Sequence, residues 1–237
     1  MSKARVKDYD LKGLYVKTDQ GEQQGDILIL TPGCDRIEQL KFLRSALSRS
    51  EVSFEANDEY DELTAIQVAA YLARKGKKVT YCGPILRRWD SRLAEAVTRA
   101  LELAGIRLAE GCSTVFPDCR PNHPFEFFSP NDRLEVVKNA YAGGDIVKGF
   151  PKVGELAMRT GRYIARAALG KEDKPFKPVV INVIKLPKGK ALYIETDLPW
   201  NGNTLVTKVS RFRYLTKSFL ERYYLVSNGR MGLLENL

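Results

Sequence analysis

The sequence predicts an α/β fold in which a parallel sheet with interleaved helices is followed by a smaller α+β region. Three observations carry that reading. Between residues 51 and 109, short runs rich in Val, Phe, Thr and Tyr alternate with amphipathic stretches at strand-helix-strand-helix-strand spacing, which requires parallel strands joined by crossovers. Gly76 and Gly105 stand where the two helical patterns stop. Beyond residue 176 the text changes to two strand-like runs, PVVINVIKLP and KALYIETDLPW. With 237 residues, 44% of them apolar, the chain can bury an ordinary core in one large domain or two small ones.

Taken in order, residues 14–33 (LYVKTDQGEQQGDILILTPG) read as a hairpin: a strand, the turn Asp19-Gln20-Gly21-Glu22, and a buried strand over 27–30 stopped by Pro32-Gly33. A helix with a basic face covers 35–50. A strand at 51–55 leads to a helix over 62–75 whose apolar side uses Leu63, Ile66, Ala70 and Leu72 or Ala73, and 78–82 form the next strand. Asp90 or Ser91 caps a helix that ends at Gly105, before a short strand at 106–109. This order is Rossmann-like. From 112 to 132 the chain is loop, with Pro117, Pro121, Pro124 and Pro130 framing an aromatic run at 125–128. A strand at 140–142 ends in Gly143-Gly144-Asp145, and a helix follows Pro151 over 152–169. In the final segment, RFRYLTKSFLERYYLV, Phe212, Leu215, Phe219 and Tyr223 recur at helical spacing among Arg211, Arg213, Lys217 and Arg222.

An excess of 38 Lys and Arg over 29 Asp and Glu gives a net charge of +9, which suits an anionic partner: nucleic acid, anionic lipid or a polyanionic cofactor. No recognised nucleic-acid motif accompanies the charge, so nucleic acid is the weakest of the three. There is no run of about 18 uncharged apolar residues and no apolar stretch after MSKARVKDYD, so a cytoplasmic chain is expected. The cysteines Cys34, Cys82, Cys112 and Cys119 are too few and scattered for a disulfide scaffold, and none lies in a C-x-x-C. Each reads as a buried inert thiol, with a Cys112 to Cys119 bridge as the alternative. Zinc is not expected: Cys112, Cys119 and His123 lack a fourth ligand, and His123 reads as a loop residue.

The Rossmann-like unit departs from a nucleotide site where phosphate should sit. A pyrophosphate needs a glycine turn so that backbone N–H groups at a helix N-terminus can approach it. Residues 57–62 here are Asn-Asp-Glu-Tyr-Asp-Glu, whose carboxylates repel phosphate; they read as charges that favour the helix dipole. Cys82-Gly83 stands where an acid would bind an NAD ribose. Arg87 and Arg88 could imitate a site for the 2′-phosphate of NADP, but read as solvated surface charge without upstream glycines. NAD(P) is therefore not expected.

The segment VVKNAYAGGDIV, followed by PKVGELAMRTGRYIAR, resembles the second flavin-binding motif of the two-dinucleotide-binding-domain flavoproteins, where a strand ends in Gly-Asp and a helix follows. Within that superfamily the sequence is most similar to sulfide:quinone oxidoreductases and type II NADH dehydrogenases. KTDQGEQQGDILILTPG resembles the hairpin and strand that close the first part of the flavin domain, and 51–111 resemble the inserted pyridine-nucleotide domain. The resemblance implies an α/β architecture of four parts: a remnant of the flavin domain's first part (1–40), a degenerate pyridine-nucleotide domain (41–115), a second flavin-binding segment (116–175), and C-terminal strands with a basic amphipathic helix (176–237). The first glycine fingerprint, which precedes the hairpin in the family, is missing.

The same resemblance implies the site. Asp145 matches the aspartate that binds the ribityl and phosphate region of FAD, with Gly143 and Gly144 forming the turn. Lys152, Val153 and Gly154 open a helix whose positive end would face the flavin ring, and Pro151 presets its first turn. Taken alone, Gly143-Gly144-Asp145 reads as a tight turn; taken with the helix, the flavin reading is its equal. Cys34, just after the TPG turn, is the candidate redox thiol, by analogy with sulfide-oxidising members. Three functions stay open: a subunit of a split FAD oxidoreductase whose partner supplies the missing fingerprint, a non-catalytic descendant serving assembly or membrane docking, and a truncated product. A homo- or hetero-oligomer is expected. The basic aromatic tail at 211–226 fits equally a peripheral contact with a membrane and its quinone, or docking on its own core or a second subunit.

Overall fold

The computed structural model describes residues 3–86 and 89–227. Arg87 and Arg88 lie outside the described residues.

An N-terminal antiparallel sheet holds β1 (Val6–Asp10), β2 (Tyr15–Thr18) and β3 (Gly21–Gln24). The hairpin differs from the sequence reading. Thr18 pairs with Gly21, so the turn is only Asp19-Gln20, and the return strand is the polar, exposed β3 rather than 27–30. Gly21, at φ 120°, adopts a conformation that favours glycine and lets the chain reverse that early. The apolar strand β4 (Leu28–Leu30) belongs to a different sheet. There it pairs in parallel with β12 (Ala140–Ala142), which pairs in turn with β11 (Glu135–Val137). Residues far apart in the chain thus meet, Leu28 beside Ala140, and β4 is left at the edge of this sheet.

The Rossmann-like unit forms as its periodicity predicts. Its four-stranded sheet has the order β8 (Arg107–Ala109), β7 (Lys78–Cys82), β6 (Glu51–Ala56), β9 (Val115–Phe116), with every pairing parallel. On one face α1 (Ile37–Leu47) stacks Phe42 edge-on against Phe54 and Phe116, at centroid distances of 5.0 and 5.3 Å. The crossover helices α2 (Glu62–Arg74) and α3 (Ser91–Leu103) bury Leu63, Ile66, Leu72, Leu93, Val97 and Leu101 completely or nearly so. Asp90 caps α3 by accepting from the Arg92 N–H at 2.9 Å.

After the two-residue strands β5 (Cys34–Asp35) and β10 (Arg120–Pro121), which pair with each other, the chain enters β11 and β12 and then α4 (Gly154–Ala168). A final antiparallel sheet joins β13 (Val180–Lys185), β14 (Ala191–Thr196) and β15 (Leu205–Ser210), and its inner residues Val180, Ile184, Leu192 and Ile194 share one core with α2 and α3. The sequence reading missed β15: its alternation of half-buried and exposed residues is polar enough to pass for a loop. α5 (Arg211–Val226) lies on this sheet through its polar side. Arg213 stacks 4.0 Å from the Tyr193 ring centroid, and Lys185 pairs with Glu221. Phe212, Leu215 and Phe219 are exposed and Tyr223 is half-buried, so among the described residues most of the apolar stripe is not docked on the chain's own core.

Candidate functional site

The residues singled out in the sequence converge at the joint between the Rossmann-like unit and the β4–β12 sheet. At the end of β12, Gly143 packs on α4, where a Cβ would lie 2.7 Å from Ile164 Cδ1. Gly144 turns the chain at φ 75°, and its N–H donates to Thr160 Oγ1 at 2.8 Å. That turn presents Asp145. Its carboxylate does not stand free: Arg36 Nη2 donates to Asp145 Oδ2 at 2.8 Å, with the two side chains 32% and 19% exposed. Arg36 reaches across because it immediately precedes α1, and its Nη1 is held by Gln39 Oε1 at 2.8 Å.

Gln39 and Asp61 are both buried and extend the network. Gln39 Nε2 donates to Asp61 Oδ1 at 3.1 Å and to the Pro117 carbonyl at 2.9 Å, and the Cys119 N–H donates to Asp61 Oδ2 at 2.7 Å. Burial raises the Asp61 pKa, opposed by these donors and by Arg36. Lys152 is buried with 5% of its surface exposed. Its ammonium donates to the Val147 carbonyl at 3.3 Å and stands 4.5 Å from the Phe127 ring centroid. Desolvation lowers its pKa against the opposing pull of Asp145, Asp61 and Asp58.

The acidic turn does more than place charges that favour the dipole of α2. Asp61 and Glu62 at the start of α2 make no side-chain cap; they bond across to other segments. Glu62 Oε1 accepts the buried Leu86 N–H at 2.7 Å, and burial pushes its carboxyl up to about 7. Asp58 keeps the local role, accepting from the Tyr60 N–H at 2.7 Å. Where the phosphate crevice of a Rossmann unit would lie, a cleft of about 600 Å³ is walled by Glu55, Asp58, Glu59, Glu62, Glu110 and Asp118. That wall disfavours a pyrophosphate.

The cysteines contradict the expectation of four inert thiols. Cys34 is bonded to Cys119 and Cys82 to Cys112, with Cα separations of 5.6 and 5.7 Å; the alternative Cys112 to Cys119 bridge is not formed. Cys34 Sγ lies 3.6 Å from the Asp145 carbonyl oxygen, so the candidate thiol stands beside the candidate carboxylate, as a disulfide. His123 is exposed in the loop.

The helix beyond the turn begins at Gly154, two residues later than expected, because Lys152 is tied to the Tyr60 turn and Val153 is an extended N-cap. The Lys152 N–H donates to the Tyr60 carbonyl and the Val153 N–H to the Pro151 carbonyl, both at 2.9 Å. Gly154 is exposed and a Cβ there would meet nothing within 4 Å, so the N-terminus of α4 is accessible at this one residue, between the buried Val153 and Leu156. By chemistry, an exposed helix N-terminus and a carboxylate are the groups that suit the pyrimidine and ribityl side of a flavin. Among the described residues, no glycine turn at a helix N-terminus fits its pyrophosphate.

No family model matches the sequence, and no curated protein does. Among solved structures, the sulfide:quinone oxidoreductase of the hyperthermophilic bacterium Aquifex aeolicus superposes with a TM-score of 0.64 at 15% identity, over 96% of this chain and 75% of that one. The chain has the fold of the two-dinucleotide-binding-domain flavoproteins. A pyridine nucleotide-disulfide family oxidoreductase from Enterococcus faecalis V583 matches at TM-score 0.52 and 15% identity, over 81% of this chain and 60% of that one. The HOCl-induced flavoprotein disulfide reductase RclA of Escherichia coli, a cysteine-to-serine mutant in complex with Cu(II), matches at TM-score 0.52 and 11% identity, over 80% of this chain and 56% of that one. The chain thus spans under two thirds of the length of these latter two.

The sequence singled out Gly143, Gly144, Asp145, Lys152, Val153 and Gly154 as flavin-binding candidates and Cys34 as a redox thiol; it did not single out Arg36 and Gln39, which the structure bonds to this group. Arg36 carried no local signal: its partner is 109 residues away.

Proposed function

We propose that this chain is one part of a flavin-dependent oxidoreductase, with a second polypeptide completing the FAD site. The observation that carries this reading is the parallel pairing of β4 with β12, which sets the TPG turn beside Gly143-Gly144-Asp145 where that turn packs on α4 at Ala157, Thr160 and Ile164. Bound flavin would supply two-electron chemistry, drawn from sulfide or a reduced nucleotide and passed to a membrane quinone. Asp145 would accept from a ribityl hydroxyl, and the α4 terminus would favour negative charge at the pyrimidine side. The partner would add the pyrophosphate turn and a strand against β4, whose Ile29, with the adjoining Ile27, is 45% and 41% exposed respectively at an open sheet edge. The cytoplasmic side of the membrane is the site proposed, with α5 turning its apolar stripe to the lipid.

A second reading, a non-catalytic descendant that keeps the fold for assembly or membrane docking, is favoured by one feature: Arg36 already neutralises Asp145. The two separate on flavin binding. Titration with FAD should quench flavin fluorescence when the partner chain is present, and Asp145→Ala should weaken that binding by about tenfold or more, the loss of one charge-assisted hydrogen bond. Absence of binding with any co-purifying chain supports the descendant.

A further inference from the structure

Residues 112–119 form a strap with a disulfide at each end. Cys112 fastens it to the end of β7 through Cys82, and Cys119 fastens it to β5 through Cys34, while β9 in between pairs with β6. The two ends differ in what they govern. The Cys82 end abuts the acidic cleft; the Cys34 end abuts Asp145.

We propose that the Cys34–Cys119 disulfide is a redox-operated latch that holds the strap against β5 and keeps Arg36 on Asp145. Beyond Phe116, which stays packed in the core, this end without the disulfide hangs on short-range ties: the two-residue pairing of β5 with β10, the Gln39 bond to Pro117, Asn57 Nδ2 to Asp118 Oδ2 at 3.0 Å, the Cys119 N–H to Asp61, and Asn122 Nδ2 to the Pro32 carbonyl at 3.0 Å. Gln39 is the pivot, because its amide nitrogen holds the strap while its oxygen holds Arg36. A strap that swings away removes one fastening of Gln39 and loosens the guanidinium that covers Asp145. Cys34 is partly exposed and Cys119 buried, so a reductant enters at the Cys34 sulfur. The step balances with a dithiol: the S–S bond breaks, two electrons and two protons pass to the protein, Cys34 and Cys119 end as thiols, and the reductant closes its own disulfide. Cys82–Cys112 keeps the far end of the strap tied, which makes the opening local.

That a flavin takes up the uncovered Asp145 rests on the function proposed above; the latch itself does not. Hydrogen-exchange mass spectrometry on the full chain, with thiol counting, reads it directly. Reduction with dithiothreitol, stopped at two thiols per chain that alkylation and peptide mapping assign to Cys34 and Cys119, and the Cys34→Ser/Cys119→Ser pair, should speed exchange in 34–39 and 117–122 by about tenfold or more while α2, β6, β7 and the β9 residues paired with β6 stay protected. If the double variant does not fold, reduction of the native protein under the same conditions gives the same reading. Unchanged exchange once the Cys34 and Cys119 thiols are both counted, with Cys82–Cys112 still closed, overturns the latch, as does loss of protection throughout the chain, which marks a simple staple. Parallel titration with FAD, partner chain present, separates the two claims. Faster strap exchange with FAD bound in neither redox state upholds the latch and sinks the flavin reading; FAD bound equally in both states, with the strap unmoved, does the reverse.

Discussion

Arg36 and Glu62 show how single side chains set the character of the joint. Arg36→Gln removes a partly exposed ion pair, so a stability loss of about 1 kcal/mol or less is expected, together with tighter FAD binding in the presence of the partner, measured by denaturant titration and fluorescence. Glu62 gives a pH signature. Its carboxyl titrates at about 7 in the folded protein against an ordinary 4.5, so between those values the folded state holds a proton that the unfolded chain has lost. Stability therefore falls as pH rises through that window, by an order of about 3 kcal/mol. Glu62→Gln, which keeps an acceptor for the Leu86 N–H, should flatten that dependence when denaturation midpoints are compared on the two sides of the window. These roles were partly legible. Asp145 and Lys152 belonged to a short local motif, whereas Arg36 and the cross-segment work of Asp61 depend on side chains meeting across 109 and 58 residues. Periodicity records which face of an element is apolar, not which distant donor a carboxylate will find.

At the scale of elements, the strongly periodic ones formed as the sequence predicts. α2 and α3 bury the faces their helical pattern marks, and β6 and β7 are parallel neighbours. The elements that differ are those where the pattern is weak: polar β3, half-exposed β15, and β4, whose apolar run looked like a hairpin arm and found its partner in β12. The cysteine pairings were also illegible, since spacing alone does not choose among connectivities. Opening the 30-residue separation between Cys82 and Cys112 by a Cys82→Ser substitution should cost about 3 to 4 kcal/mol in a denaturant titration. α5 makes a further prediction. Phe212→Glu/Phe219→Glu alters two outward rings, so stability should stay within about 0.5 kcal/mol. Sedimentation with phosphatidylglycerol vesicles should drop about tenfold or more. If a concentration-dependent oligomer dissociates instead, with vesicle binding unaltered, the stripe is a subunit contact.

For the molecule as a whole, one core joins the Rossmann-like unit to the C-terminal sheet, while the β4–β12 sheet carries its own small core of Leu30, Phe128, Ala142 and Ile146. A flavoprotein-like fold thus carries an acid-walled cleft beside its parallel sheet and, on the other sheet, the Gly144 turn that presents Asp145. Turnover of NAD(P)H by the isolated chain should accordingly be negligible in a steady-state assay, because neither phosphate turn is present among the described residues. The most direct test of the central claim is the absorption spectrum of the natively purified protein, taken with mass spectrometry of whatever accompanies it. A flavin band at about 450 nm, together with a second polypeptide in constant ratio, is the expected result. A colourless protein that stays colourless when FAD and every co-purifying chain are restored would contradict it.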